Sequence, residues 1–566
     1  MENYYGVDFA KQKEKLLNSK IAKVLINDVI ERAEAALDKT YDALKFSEFT
    51  LFLENGDRAM YEKKYFERRN DCSYISIAYW LTDDEKYRNQ LIDLVFHICD
   101  EYTWCVPAHA LLHDKPTSKQ VVEMIDLFQA ETGRLLTDIS VMVGDKLPYY
   151  VNDRKEYEIN RRIIEPIKIK EFYWQKPTCT TNWAAVCSGG VLVALLTFGT
   201  SEDIDKVLPK LYFAIENFLI GYNEDGCCLE GCDYWNYGFG YFVIFARMIL
   251  EYTNGDVDYF KREKVKNIAT FIQKIRLGKT KIVSFSDALS KFAFSPGLIS
   301  YLKEVYPSDF ILPSLEFGTK QGNIYSMKEL LWFDTDYCEE AYKNESTYFK
   351  DAQWFIKRND KYNFAAKAGN NNEPHNHNDI GSFMIVTNDD DIPLVDLGCG
   401  VYNAFTFDNK YRYTMLQNAS SGHSVPIING KYQNFGSEYF AKDVIATDNT
   451  FSFDMGGAYD EGIIKRLYRS FELTDDRIIL CDTVEYSEMT ESFTERMVSL
   501  TKPEINDDFV DLDSVSIMYD NEKYKVRISE DSYKRYADGP DIKVYFIDFE
   551  AVEQKESIFE FELVIK

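Results

Sequence analysis

Three of the six histidines in this sequence fall between positions 375 and 423. His375 and His377 sit in Pro374-His-Asn-His-Asn-Asp-Ile-Gly-Ser-Phe, Asp396 follows in Val395-Asp-Leu-Gly, and His423 lies in Gly422-His-Ser-Val. On a strand, the His-x-His spacing would turn both rings to one side. Two imidazoles and a carboxylate make a three-ligand set that leaves one position open, as zinc sites do. The bland reading is a pair of loop histidines beside an unrelated carboxylate.

A second group lies in the first half. Asn182-Trp183 stands just before an apolar run that reads as a helix from about Val191. Taken alone, Asn182 is a cap or turn residue. The stretch from Asn223 to Tyr241 packs turn glycines, acids and three tyrosines into one interhelical loop, with Glu230, Tyr234 and Tyr237 among them. A loop with a structural role alone has little need of so many bulky polar aromatics. Arg68 and Arg69 form the best basic pair in this half, read either as substrate contacts or as a solvated helix face. His109 and His113 are four apart, a spacing that shares a helix face. Cys227, Cys228 and Cys232 cluster, but without the C-x-x-C spacing of a metal site.

The elements that must position these residues fall into two periods. Up to about residue 340, segments such as Val24–Leu37, Tyr87–Cys99, Val191–Phe198, Val207–Ile220 and Tyr241–Tyr252 carry apolar residues at helical spacing. Thr200 and Ser201, followed by Glu202 and Asp203, mark a helix start. A bundle, a superhelix or a closed toroid would each bury such an array. From about 345, short β-branched and aromatic runs take over: Phe383–Val386, Ile392–Val395, Ile478–Leu480, Lys523–Ile528, Ile542–Phe549 and Ile558–Ile565. These predict an antiparallel β-sandwich. The expected organisation is therefore α+β and multidomain, with a helical domain over 1–344 and a β domain over 345–566. No Pro/Gly/Ser-rich linker separates them, which predicts a broad fixed interface, where ligand clefts are common.

Composition limits the partners. The formal net charge of −28 argues against nucleic acid and anionic membranes. It also requires a local basic cluster if the substrate is itself anionic. The start of the chain lacks the pattern of a secretory signal, no apolar run is long enough to span a bilayer, and the 11 cysteines show no framework spacing. A cytoplasmic location is expected, and the sequence leaves the oligomeric state open.

Together, Pro374–Phe383, Asp396-Leu-Gly and Gly422-His-Ser-Val resemble the signature of the heparinase II/III-like polysaccharide lyases. Asn182-Trp183, the Glu230-Gly-Cys-Asp-Tyr-Trp-Asn-Tyr-Gly segment and Trp104-Cys-Val-Pro-Ala-His resemble that family's helical motifs, in the family's order. The resemblance implies an (α/α) toroid followed by an antiparallel β-sandwich, with the site between them. It implies β-elimination on a uronate-containing glycan, with glycosaminoglycans the first choice and oligoalginate the second. By the same resemblance Asn182 is the amide that neutralises the uronate carboxylate. Tyr234 is the acid and, depending on the uronate epimer, also the base. His375 is a base or a second carboxylate contact. His377, Asp396 and His423 are implied as ligands of one divalent metal, zinc or alternatively manganese, with a mainly structural role. Substrate contacts are expected from Trp183, Glu230, Tyr237, Arg68, Arg69, Tyr402, Arg412 and Tyr413. Some family members have Asn-His where this chain has Asn182-Trp183, so Trp183 is expected to stack on a sugar ring. Two rivals remain. A toroid glycoside hydrolase would draw its carboxylates from Glu224, Asp225, Glu230 and Asp233, and a glycan-binding protein would bind sugar without turnover.

Overall fold

The computed structural model describes residues 5–110, 116–291, 293–315, 324–402, 406, 408–536, 539–552 and 556–566. Long helices fill the first half, among them Lys23–Ala36, Ala59–Thr82, Lys86–Cys99, Leu127–Val143, Asn182–Phe198, Ser201–Ile220 and Gly240–Tyr252. The Ser201–Ile220 helix starts where its sequence signal lies: the Thr200 hydroxyl accepts from Asp203 N, and the Asp203 carboxylate accepts from Thr200 N. The Asn182–Phe198 helix is buried along almost its whole length, because it packs against Leu127–Val143, Ser201–Ile220 and Gly240–Tyr252 together. Its apolar run therefore encodes a central helix, with no polar face to display.

The two ends of the helical region meet. The Gln12 amide donates to the carbonyls of Leu330 and Phe333, and Ser19 Oγ donates to Thr335 O. Trp332 Nε1 in turn donates to Tyr5 O.

The first strand is Ser346–Phe349. Beyond it, all strand pairings are antiparallel among the described residues, in sheets of four, eight, four and two strands. The eight-stranded sheet contains Ile464–Leu473, Arg477–Tyr486 and Ile558–Ile565 side by side. In Ile558–Ile565 the burial alternates, as the period-two pattern requires. Ile392–Val395, read from the sequence as a strand, makes one isolated bridge, Leu394 to Ile385, and Val395 N donates to Val498 O in the strand Phe493–Ser499.

One apolar core crosses the boundary between the halves. Phe349, Trp354, Ile356, Met384 and Val386 of the β region pack into the same cluster as the helices. A second core lies wholly inside the β sheets and includes Phe364, Phe383, Phe471 and Phe561. The two halves are thus joined by continuous apolar packing, which is what positions loops from each against the other.

Candidate active site

Between Lys274 and Pro296 the chain leaves its helices and forms a narrow excursion, with antiparallel bridges from Arg276 to Ile282 and from Lys281 to Lys291. This segment reaches into the β half. Ser284 Oγ donates to Asp396 O at 2.8 Å, and Cys399 N donates to Ala288 O at 3.0 Å. Gly398 has φ +63°, and a Cβ there would lie 2.0 Å from Ala288 O, so only glycine lets the two segments approach this closely.

Asp287, on this excursion, is the hub of the site. Its carboxylate meets His375 Nδ1 at 2.5 Å, His377 Nε2 at 3.0 Å and the Tyr402 hydroxyl at 2.7 Å. Arg412 Nη2 lies 3.5 Å away. Burial pushes the Asp287 carboxyl upward, but the hydrogen bonds and charges of His375 and His377 outweigh it and hold it well below the usual range. The sequence reading passed over Asp287, which lies in an irregular stretch without period or motif.

The His-x-His pair does converge, but not through strand alternation. Residues 374–382 form an irregular loop, and His375 takes a left-handed backbone with φ 56°. A non-glycine residue held there marks a constrained position, and such positions concentrate at functional sites. Burial lowers the His375 pKa, while Asp287 and the charge of Glu230 raise it, with a net upward shift.

Tyr234 lies over His375, with ring centroids 4.3 Å apart, and its hydroxyl is 2.9 Å from that of Tyr402. A phenol carries one proton. Tyr402 spends its own on Asp287, so Tyr234 donates to Tyr402, and the chain runs Tyr234 to Tyr402 to Asp287. Burial first, and then the charge of Asp287, raise the Tyr234 pKa well above its ordinary value. Tyr234 is followed directly by a π-helical turn, Trp235–Phe239, an element common at functional sites. Through that turn Gly238 packs on Asn182, where an added Cβ would come within 2.9 Å of Asn182 Cβ.

Asn182 opens the long helix as its first residue, with Thr181 as the cap. This differs from the sequence expectation, which placed it in a turn ahead of the helix. Its side chain is 8% exposed, and among the described residues nothing hydrogen-bonds its amide. Glu230 is near enough to His375 and Asp287 to feel their charges, and burial raises its pKa. Tyr237 points elsewhere: its ring packs edge-on against Tyr241 at 5.8 Å, beside a cavity of about 30 Å³ that Glu131 also lines. Of the two competing tyrosines, Tyr234 is the one at Asp287.

His377, Asp379 and His423 bring one donor atom each within 4.8 Å of one another. His377 Nδ1 is buried without a hydrogen-bond partner, an orphan that a cation would satisfy. Burial lowers the His377 pKa. Asp396 is adjacent: its Oδ2 meets His423 Nδ1 at 3.0 Å and accepts from Ser382 Oγ at 2.8 Å. Burial depresses the His423 pKa, but Asp396 reverses this and raises it. Asp379 was not singled out in the sequence. It also faces Lys367, whose Nζ lies 2.8 Å from Oδ1.

Other expected contacts are structural. Arg68 and Arg69 are 3% and 0% exposed, and both are spent on Glu101, at 2.8 and 2.7 Å. Neither offers charge to a substrate, because a buried guanidinium is held by the carboxylate it compensates. Arg412 is buried too, and it donates to Asn376 O and Thr406 O as well as lying beside Asp287. It therefore braces the His375 loop. Tyr413 stacks on Phe435 at 4.5 Å and accepts from the Asn376 amide at 3.2 Å. His109 lies in the short helix Pro107–Ala110, and His113 lies outside the described residues. Cys227, Cys228 and Cys232 are buried free thiols. Of the four acids open to a hydrolase, Glu224 pairs with Lys264 at the surface, and Asp225 accepts from Asp351 N and Ala352 N.

No protein-family model matches the sequence, and no match was found among curated proteins. Solved structures do match the fold. The chain is similar to a heparan sulfate lyase HepC mutant from Pedobacter heparinus, at 14% identity and TM-score 0.60, covering 95% of this chain and 82% of that one. A heparinase III matches at 16% identity and TM-score 0.59, over 95% and 83%. A Streptomyces coelicolor chondroitin AC lyase, solved with chondroitin sulphate, matches at 8% identity and TM-score 0.55, over 98% and 82%. At these identities the likeness is one of fold: a helical region followed by antiparallel sheets, the arrangement expected from the sequence. Among the described residues no helix is long and apolar enough to cross a membrane.

Proposed function

We propose that this protein is a polysaccharide lyase that cleaves a uronate-containing glycan, of the glycosaminoglycan type, by β-elimination. The observation that carries the reading is the arrangement of Tyr234, Tyr402 and His375 around Asp287. Asn182 packs against Gly238, in the π-helical turn that follows Tyr234, and among the described residues its amide makes no hydrogen bond. The meeting of the two ends of the helical region supports an (α/α) toroid, and the paired sheets support a β-sandwich behind the site.

The chemistry requires three things. The C5 proton of a uronate is weakly acidic beside an ionised carboxylate, so that charge must be neutralised as the carbanion forms. The Asn182 amide does this. A base takes the proton; His375, oriented by Asp287, is assigned that role. An acid protonates the departing 4-oxygen. Tyr234, kept protonated by burial and by the charge of Asp287, fills it. Proton transfers of this kind are worth about 10²–10⁴-fold each.

His377 and His423, with Asp379 or Asp396, fit a divalent cation, with zinc expected and manganese the alternative. Such an ion would tie the loop of residues 374–382 to that of 417–425 and lend stability, not chemistry.

The test is ultraviolet absorbance of unsaturated uronate, measured on hyaluronan, chondroitin sulfate, heparan sulfate and alginate as polymers and as tetrasaccharides. A rise on a glycosaminoglycan is expected. New reducing ends without absorbance would establish hydrolysis instead, and binding without either would establish a glycan-binding protein.

A further inference from the structure

Arg68 and Arg69 leave the helical side of the site without the polar contact the sequence assigned to it. Another residue stands where such a contact is needed. His109 lies with its ring 4.7 Å from that of Trp183, the residue after Asn182 on the first turn of its helix. On another side its ring stacks parallel on Phe128, at 5.5 Å and 1°. Nδ1 lies 2.7 Å from Asp126 Oδ2. Asp126 is 1% exposed, and its other oxygen accepts from Gln129 N at 2.7 Å, capping the helix Leu127–Val143. This is a held imidazole. A carboxylate only accepts, so Nδ1 carries the proton, and the aromatic neighbours fix the plane. The Nε2 edge is what remains of a side chain that is 12% exposed. Tyr173, 54% exposed, meets Trp183 edge-on at 6.1 Å and extends the aromatic surface outward.

We propose that Trp183, Tyr173 and His109 form a pyranose-binding subsite next to the elimination centre, in which His109 Nε2 accepts a hydrogen bond from a sugar hydroxyl. Asp126 is the positioning residue that fixes which nitrogen accepts. The inference rests on the lyase reading, because it takes the glycan chain to continue from the sugar held at Asn182. Flat aromatic faces with one oriented polar atom are what a sugar ring needs: apolar carbon-hydrogen faces on the aromatics, hydroxyls at the rim. Among the described residues Nε2 has no hydrogen-bond partner, so it is the ring nitrogen left for a ligand.

Two variants test this. His109→Phe keeps the stack and removes the acceptor. Asp126→Asn keeps a helix cap but offers an amide donor to Nδ1, which moves the ring proton to Nε2 and turns the acceptor into a donor. Steady-state kinetics would be run on the tetrasaccharide that the wild type cleaves best, with thermal melting to show that each variant is folded. Both variants are expected to raise KM about tenfold while kcat stays within about twofold, the signature of lost binding that is uniform between ground and transition states. Folded variants with the wild-type KM would overturn the subsite and leave the lyase reading intact. A fall in kcat at unchanged KM would also overturn it, placing His109 in the chemistry. If the wild type cleaves none of the panel, the lyase reading fails first. Calorimetric titration of the same tetrasaccharides into wild type and His109→Phe then decides the subsite: weaker binding by the variant supports it, and equal or absent binding by both overturns it.

Discussion

The Tyr402 hydroxyl lies 2.7 Å from Asp287 Oδ2, and it is contributed by the β half to a carboxylate that belongs to the helical half. His375 and His377 reach the same carboxylate from another loop. One acid thereby sets the orientation of three candidate functional side chains.

Asp287→Asn should therefore be among the most damaging single changes. An amide accepts at one end only, so it cannot receive two imidazoles and a phenol at once. Turnover is expected to fall by up to about 10⁴-fold, the loss seen when the acid behind a catalytic histidine is neutralised. The product absorbance assay and a circular dichroism melt check it; near-normal turnover would remove Asp287 from the mechanism.

Tyr234→Phe should abolish measurable elimination with little change in folding, because the ring and its packing on His375 remain. Tyr402→Phe should be milder in rate, since it removes the relay and not the donor. Equal, near-normal rates in both would contradict the acid assignment.

His377→Ala should lose bound metal and thermal stability together, read by elemental analysis and melting. Asp379→Asn and Asp396→Asn separate the two carboxylates. The variant that loses the ion identifies the ligand, and metal content unchanged in all three variants would refute the site.

Lys155 carries a pH prediction far from the site. It is fully buried, with Nζ donating to Ser140 Oγ at 2.8 Å, and burial lowers its pKa to about 8. The folded state then binds fewer protons than the unfolded state between about pH 8 and the ordinary lysine value, so stability rises with pH across that window. Below it, the ammonium is charged in both states and its desolvation opposes folding. Lys155→Met is expected to stabilise the protein by on the order of 3 kcal/mol at pH 7, with the gain shrinking as pH approaches 10. Denaturant melts at both pH values check the sign.

Arg69→Met should behave as a stability variant and not as a binding variant. It leaves Glu101 with Arg68 alone inside the core, at a cost of roughly 3 kcal/mol. KM should not move. A selective rise in KM in a folded protein would restore the substrate role that the sequence suggested.

Much of this was legible in the residues. Helix positions followed from apolar spacing, and the Thr200 cap from its side-chain chemistry, because both are local. The histidine loop was legible because its motif is contiguous. Asp287 was not, since it is one of 93 acidic residues, and its meaning depends on an excursion that only the folded chain brings to His375. Asp379 hid behind its neighbours for the same reason. Arg68 and Arg69 misled because adjacent charges on a helix usually include one facing water. Here Glu101, from the next helix connection, lets both turn inward.

The apolar core shared by the two halves has a bearing on how such a protein could be taken apart. Cutting the chain near residue 345 would give one fragment that holds Tyr234, Asn182 and an unfulfilled Asp287, and another that holds His375 and Tyr402 with nothing to bind. Each would also expose the apolar face it now buries against the other. Mixed together, the fragments would have the same patch of surface to hide and the same set of hydrogen bonds to regain. Recovery of activity on mixing would thus count, molecule by molecule, how many pairs had reassembled.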